Sequence, residues 1–363
     1  MEKEKEYQSP NPIKVGITIG DINGIGPEVI IKALKDNRIM AECTPVIYSS
    51  TKVISYYKKT LNEIEFNYQS VKDALEIQNR KINIVNCWNE EFEITPGIPS
   101  NVSGKYAIQS LERASQDLAN GKIDVLVTAP FSKEEVSKMG FSFPGHTEYL
   151  AEMAGVDEAL MILMSGSLRV ALVTVHLPLK EIAGAITKDK IIRKIHQFEE
   201  SLKKDFSIIK PRIAVLGLNP HAGENGKLGA EEKEIITPAI QAAKAEGKLV
   251  FGPYAADGFF GSPARQQFDG VLAMYHDQGL TAFKAIAFEE GVNFTAGLPI
   301  VRTSPDHGTG YNIAGKNEAS EHSMRAAIFA ACDILKSRKF IKEINQNPLP
   351  VKKLEGDRYE KDN

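Results

Sequence analysis

Short apolar runs and longer amphipathic stretches alternate along almost the whole chain. Runs at 15–20, 45–49, 82–85, 125–129, 169–175, 213–218 and 271–275 have strand length and are mostly rich in Val, Ile or Leu on both faces, as doubly covered strands require. Between them, 27–35, 105–120, 188–204, 231–246 and 320–337 carry helical spacing, and Pro27 suits a first helical turn, where a missing N–H costs nothing. This alternation predicts an α/β fold with a mostly parallel sheet covered by helices. One stretch departs from it: 160–164, Ser165-Gly166-Ser167 and 168–175 predict an antiparallel hairpin, the mark of a second domain or an interface.

No internal repeat and no Pro/Gly/Ser-rich linker divides the chain, so a two-domain split would be made by strands shared across a cleft. About the first twelve and last eighteen residues are polar and aperiodic, and are expected to be mobile. The 363 residues, 42% hydrophobic and 25% charged, are ordinary for a globular protein of about two domains. With 44 Lys+Arg against 47 Asp+Glu the formal charge is -3, so no global basic field draws the chain to nucleic acid or an anionic membrane. Any bound anion must meet a local cluster. Cys43, Cys87 and Cys332 lack CxxC spacing, which suggests neither a disulfide framework nor a thiolate zinc site. The charged N-terminus lacks the apolar core of a signal peptide and no window reaches membrane-spanning length, so a cytoplasmic protein is expected.

Three of the seven histidines recur in one context: RVALVTVH ends in His176, RIAVLGLNPH in His221, and GVLAMYHD holds His276, each just past a predicted strand. In open α/β sheets ligands gather beyond the carboxyl ends of strands, so the three imidazoles are expected to converge in one crevice. Three imidazoles suffice for a catalytic metal with open positions, zinc or cobalt before magnesium. Taken singly, each is better explained by a strand-end histidine bonded to backbone; three together shift the balance. His196 reads as a surface residue of a helix, and His322 carries little signal.

His146 and Thr147 stand in FPGHTEYLAEMAG, where a turn precedes helical spacing; a helix N-terminus there would attract phosphate or carboxylate, while Thr147 as a simple N-cap explains the pattern equally. Asp277, Lys284, Asn293 and Arg302 lie among apolar residues after His276, where Lys and Arg suit a doubly charged phosphate and a carboxylate; a structural ion pair is the plainer account of each alone. VGITIGDINGIGPEVI looks like a dinucleotide fingerprint, but Gly20, Gly24 and Gly26 do not form GxGxxG, and no pyrophosphate is placed there. In SPDHGTGYNIAGKNEAS, His307, Gly308, Gly310 and Gly315 let backbone approach a flat ligand.

GDINGIGPE, GHTEYLA, LVTVHLPL, GLNPHAGENGKLG, YHDQGL and DHGTGYNIAGK, in this order, resemble the 4-hydroxythreonine-4-phosphate dehydrogenase family of vitamin B6 synthesis over nearly the whole chain. HLPL, NPHAGE and YHDQG are specific to it; GIGPE and the HGT and IAGK motifs are shared with isocitrate and isopropylmalate dehydrogenases. The resemblance implies a three-layer, non-Rossmann α/β/α fold of the isocitrate/isopropylmalate dehydrogenase type with two domains around a cleft. Their expected extents are 13–137 with 299–345, carrying the cofactor, and 138–298, carrying metal, substrate and dimer interface.

It also implies one divalent metal (zinc, cobalt or magnesium) on His176, His221 and His276, at a homodimer interface with ligands from both chains. Substrate contacts fall on His146, Thr147, Lys284, Asn293 and Arg302, and NAD or NADP falls on the loop of His307, Gly308, Gly310 and Asn312. The implied chemistry is oxidation of the C3 hydroxyl of 4-phosphooxy-L-threonine with hydride passing to NAD, then loss of CO2. Asp257 and Asp277 are suggested as acid/base helpers, and Lys284 as a phosphate or proton-relay residue. The sequence departs from the family pattern at Ile22-Asn23, where Pro-Ala is usual, and in an apparent insertion through about 60–100. Rival readings are a sibling dehydrogenase of phosphothreonate or phosphoerythronate, a zinc hydrolase, and a silent binding protein.

Overall fold

The structure, a computed structural model, describes residues 11–63 and 65–347; the ends expected to be mobile lie outside these residues except for 11–12 and 346–347. Among the described residues twelve strands form one sheet: β1 (Ile13–Thr18), β2 (Cys43–Ser49), β3 (Gln69–Val71), β4 (Asn83–Asn86), β5 (Val125–Thr128), β6 (Leu160–Ser165), β7 (Leu168–Leu172), β8 (Arg212–Leu216), β9 (Leu249–Tyr254), β10 (Gly270–Ala273), β11 (Val292–Ala296) and β12 (Arg302–Pro305). Their order is β3-β4-β2-β1-β5-β12-β11-β6-β7-β10-β8-β9. Neighbours are parallel except at the centre, where β11 runs against β12 and β6, and β6 against β7. The strands of 13–137 and 299–345 therefore occupy one side, those of 138–298 the other, and strand direction reverses at their border.

In β2, β4, β5, β6, β7, β8 and β10 neighbouring residues enter different apolar clusters, which is why these strands read as continuous apolar runs. Val125 and Val127 pack with Ala327 and Ile328 of the helix His322–Ile344, while Leu126 packs with Ala107 and Leu111 of the helix Asn101–Ala119. Likewise Ile213 and Val215 face Ile195 and Phe198 of the helix Lys188–Lys204, and Ala214 and Leu216 face Leu280 and Phe283 of the helix His276–Ala287. Two helical layers enclose the sheet. On one face the cover divides into two clusters, one around the helix Asn101–Ala119 and one around the helix His276–Ala287.

The expected hairpin is present, with Ser165 opposite Leu168 across a turn that Gly166 makes at φ +54°. Two elements differ from expectation. The helix foreseen over 231–246 is a π-turn, Glu232–Ile236, followed by an α-helix, Thr237–Ala245. Pro238 has no N–H to give and its ring crowds the carbonyl four residues back, so the helix widens there. Within the segment 60–100, β4 lies where the run 82–85 places it, while β3 at the sheet edge was not expected, and the later part crosses to the loops after β1 and β12.

Candidate active site

The gap between those two clusters is polar. A cleft of about 300 Å³ opens there over the central strands, with Thr128, Arg302, Asn293 and Met161 among the sheet residues that line it. His146, Thr147 and Lys284 line it from the helices, and His176, His307 and Gly308 from loops. The structure thus brings together all five expected substrate contacts, which the chain separates by up to 156 residues (302 minus 146).

Arg302 is 4% exposed and makes three hydrogen bonds, all to hydroxyls. Nε and Nη2 donate to Thr128 Oγ1 at 3.0 and 2.6 Å, and Nη1 donates to Thr295 Oγ1 at 3.0 Å. Among the described residues no carboxylate is ion-paired with it, and burial, opposed by the Glu148 carboxylate of the same cleft, lowers its pKa to about 10, a guanidinium still charged at neutral pH. A buried cation held by neutral groups is costly to maintain unless an anion arrives to pair with it. The surroundings agree. Gly145 is the N-cap of the helix His146–Met153, with no side chain to satisfy the first N–H groups, so the expectation of Thr147 as cap is corrected: Thr147 is inside the first turn.

His146 stacks on Phe131 with ring centroids 4.0 Å apart, and burial, with Arg302 and Lys133 nearby, holds its pKa well below the usual histidine value. It is a neutral imidazole. Lys284 Nζ lies 3.6 Å from Asp306 Oδ2, and burial raises the Asp306 carboxyl while Lys284 opposes that shift. Asn293 Oδ1 and His307 Nε2 are buried without partners, two polar atoms waiting for a ligand at the cleft. Sequence reasoning missed Lys133, Glu148 and Asp306, which also line it. A strand-end signal existed for Lys133, which follows β5 closely; none existed for Glu148, or for Asp306, whose strand β12 has no apolar run to mark it.

The histidines divide. The rings of His176 and His276 lie 6.0 Å apart, and burial, then Lys133, lowers the pKa of His176. Asp277 Oδ1 is 2.6 Å from His276 Nδ1, which leaves Nε2 free for a metal. His221 does not complete the set within the chain: among the described residues no three His, Cys, Asp or Glu stand close enough to hold an ion. This corrects the expected convergence on one sheet. The reason is local. His221, Ala222, Gly223, Glu224 and Asn225 all take left-handed backbone with φ between 41° and 76°, and the turn leaves His221 exposed. Glu232 anchors this turn, accepting from the backbone N–H groups of Leu218 and Asn219 at 2.7 Å each.

Asp257 is exposed and absent from the residues lining the cleft, and Asp277 serves His276, so neither stands as an acid or base within this chain's cleft. The loop after β12 packs on the loop after β1, where Thr309 O accepts from Ile25 N at 2.8 Å and a side chain at Gly24 would meet that oxygen at 2.7 Å. Asn312 is exposed there. His307 with its unpartnered nitrogen and Gly308, whose Cβ position is open, fit a planar polar ligand. No helix of the described residues is long and apolar enough to cross a membrane.

Comparison with known proteins shows the family. Residues 41–331 match the profile of the family described as pyridoxal phosphate biosynthetic protein PdxA. A 4-hydroxythreonine-4-phosphate dehydrogenase of Bacteroides thetaiotaomicron is 52% identical over 340 residues, 93% of each chain. A relative from Oceanobacillus iheyensis, provisionally named D-threonate 4-phosphate dehydrogenase, is 40% identical over 90% of this chain and 98% of its own. The crystal structure of a 4-hydroxythreonine-4-phosphate dehydrogenase from Burkholderia phymatum superposes with a TM-score of 0.74 at 38% identity, covering 89% of this chain and 98% of the other. The chain belongs to the PdxA family of pyridoxal phosphate biosynthetic proteins.

Proposed function

We propose that this protein is a metal-requiring dehydrogenase that oxidises 4-phosphooxy-L-threonine with NAD, or NADP, as acceptor, in pyridoxal phosphate synthesis. The product is 2-amino-3-oxo-4-phosphooxybutanoate, which loses CO2 to give 3-amino-2-oxopropyl phosphate. The observation that carries the reading is Arg302, a buried cation without a carboxylate partner at the floor of a cleft also lined by Lys133, Lys284 and an uncapped helix N-terminus.

In this reading Arg302, with the first-turn N–H groups at His146 and Thr147, binds an anionic end of the substrate, and neutral His146 donates or accepts a hydrogen bond without adding charge. Lys284 and Asp306 form a proton relay for the C3 hydroxyl, with Asn293 orienting the chain of the substrate. His307, Gly308 and neighbouring loop residues would hold NAD, whose chemistry there would be to accept the hydride. A divalent ion on His176 and His276 would polarise the C3 oxygen as a Lewis acid. His221 of a second copy, exposed on its left-handed turn, would complete that ligand set. The protein would act as a cytoplasmic homodimer, each protomer having two lobes that meet at the cleft.

A second reading is a sibling dehydrogenase of 4-phosphothreonate or 4-phosphoerythronate, favoured by the 40% identity to the relative provisionally named for D-threonate 4-phosphate. One experiment tests both. The purified protein is mixed with NAD, a divalent metal and each candidate acid, and NADH absorbance is followed. A signal with the amino acid alone selects the first reading, a signal with the hydroxy acids alone the second, and silence with all of them sinks both.

A further inference from the structure

We infer that Asn23 is a positioning residue: it clasps the strap of residues 88–100 to the loop after β1, which holds the strap against the loop after β12, so that the strap sets the shape of the dinucleotide-binding wall. The inference rests on the dehydrogenase reading and on that loop's cofactor role. Asn23 is 1% exposed and spends its whole side chain on the strap. Nδ2 lies 3.1 Å from Thr95 Oγ1, 2.9 Å from Ile98 O and 3.3 Å from Ser100 Oγ, and Oδ1 accepts from Thr95 N at 3.0 Å. Its carbonyl accepts from Gly97 N at 2.8 Å.

The strap in turn bears on the loop after β12. A Cβ at Gly97, whose φ is +86°, would stand 2.9 Å from Tyr311 O, and one at Gly315 would stand 2.8 Å from Pro96. Beneath them Tyr311 Oη and Ser103 Oγ both donate to Asp21 Oδ2, at 2.7 and 2.9 Å. Burial raises the pKa of the Asp21 carboxyl, and these hydrogen bonds oppose the shift. Residues 307–317 form no helix or strand of their own, so their shape is set by what they lean on.

The chain carries its own reporter. Trp88, its single tryptophan, sits at the base of the strap and stacks on Tyr106 with ring centroids 4.5 Å apart. In the full-length protein Asn23→Ala should shift Trp88 emission to the red and speed proteolytic cutting within 88–100. The KM for NAD should rise about tenfold, the weight of one or two net hydrogen bonds, while kcat and the KM for the phosphorylated acid hold within about twofold. Thr95→Val, which loses a single hydroxyl contact, should move the same readouts less, and serves if Asn23→Ala does not fold. A loosened strap with an unchanged KM for NAD overturns the inference, and so does an equal rise in both KM values. If the wild type makes no NADH with any candidate acid, the dehydrogenase reading fails and takes this inference with it. If the wild type turns over and the variants bind NAD normally, this inference alone fails.

Discussion

Arg302 meets Thr128 twice, through Nε at 3.0 Å and Nη2 at 2.6 Å, so the guanidinium is held in place by a hydroxyl and not neutralised by a carboxylate. The pair lies on adjacent parallel strands, β12 and β5, at the centre of the sheet. A rigid strand pair thus fixes the cation before any anion arrives, which is the preorganisation that charged recognition needs.

Arg302→Met should abolish anion recognition while leaving the fold intact. The fall in kcat/KM is expected to be at least a hundredfold, about 2.7 kcal/mol, in line with a charged hydrogen bond lost. Millimolar inorganic phosphate should raise the Tm of the wild type and leave that of the variant unmoved. In the absence of anions the variant should be as stable as the wild type or more so, because a buried unpaired charge has gone. A variant that keeps its phosphate-induced shift would show that Arg302 is not the anion receptor.

His146 should make stability fall in mild acid. Its folded pKa lies well below the usual value of 6.5, so below about pH 6.5 the unfolded chain takes up a proton that the folded chain refuses. The contribution is complete above 6.5 and is lost as pH falls from there toward the folded pKa. His176, lowered in the same direction, adds to the slope. Urea midpoints measured from pH 7.5 to 5.5 should decline for the wild type and decline less for His146→Asn.

Asp277→Asn tests the orientation of His276. The 2.6 Å contact with Nδ1 fixes the tautomer that leaves Nε2 as a ligand. Loss of such a partner lowers metal affinity about 10- to 100-fold. Cobalt titration followed by visible absorbance measures it, and unchanged affinity would remove His276 from the ligand set.

Mixing inactive variants tests the shared site. His176→Ala and His221→Ala homodimers should both be inactive. If each site takes these two histidines from different chains, a mixed dimer has one site with both lost and one with both intact, and about half of the wild-type activity per dimer returns. No recovery on mixing would mean that one chain supplies both.

Much of the layering was legible because doubly covered strands must be apolar on both faces. Seven strand runs, the hairpin and the helix 188–204 are where the pattern predicts them. β12 was not legible at all: Arg302, Thr303, Ser304 and Pro305 contain no apolar side chain apart from the proline ring, yet all four are buried. Hydropathy cannot find a strand whose polar groups are satisfied by distant partners, here Thr128, Thr295 and the carbonyl of Ala327, to which Thr303 Oγ1 donates at 2.8 Å. The three histidine-bearing strands also ended early: β7, β8 and β10 stop at Leu172, Leu216 and Ala273, and the chain leaves the ladder before each histidine.

By itself the sequence determined the α/β layering, the five expected substrate contacts of the cleft and, through its motifs, the family. Those depend on local periodicity and on residue types that chemistry demands, both of which are written along the chain. Tertiary structure alone decided that Arg302 stands buried without an ion-paired carboxylate, that His176 meets His276 while His221 sits exposed on a left-handed turn, and that Asn23 fastens the strap to the loop after β1. Each of these is a relation between residues far apart in the chain, and its energy lies in burial and pairing that no window of sequence contains.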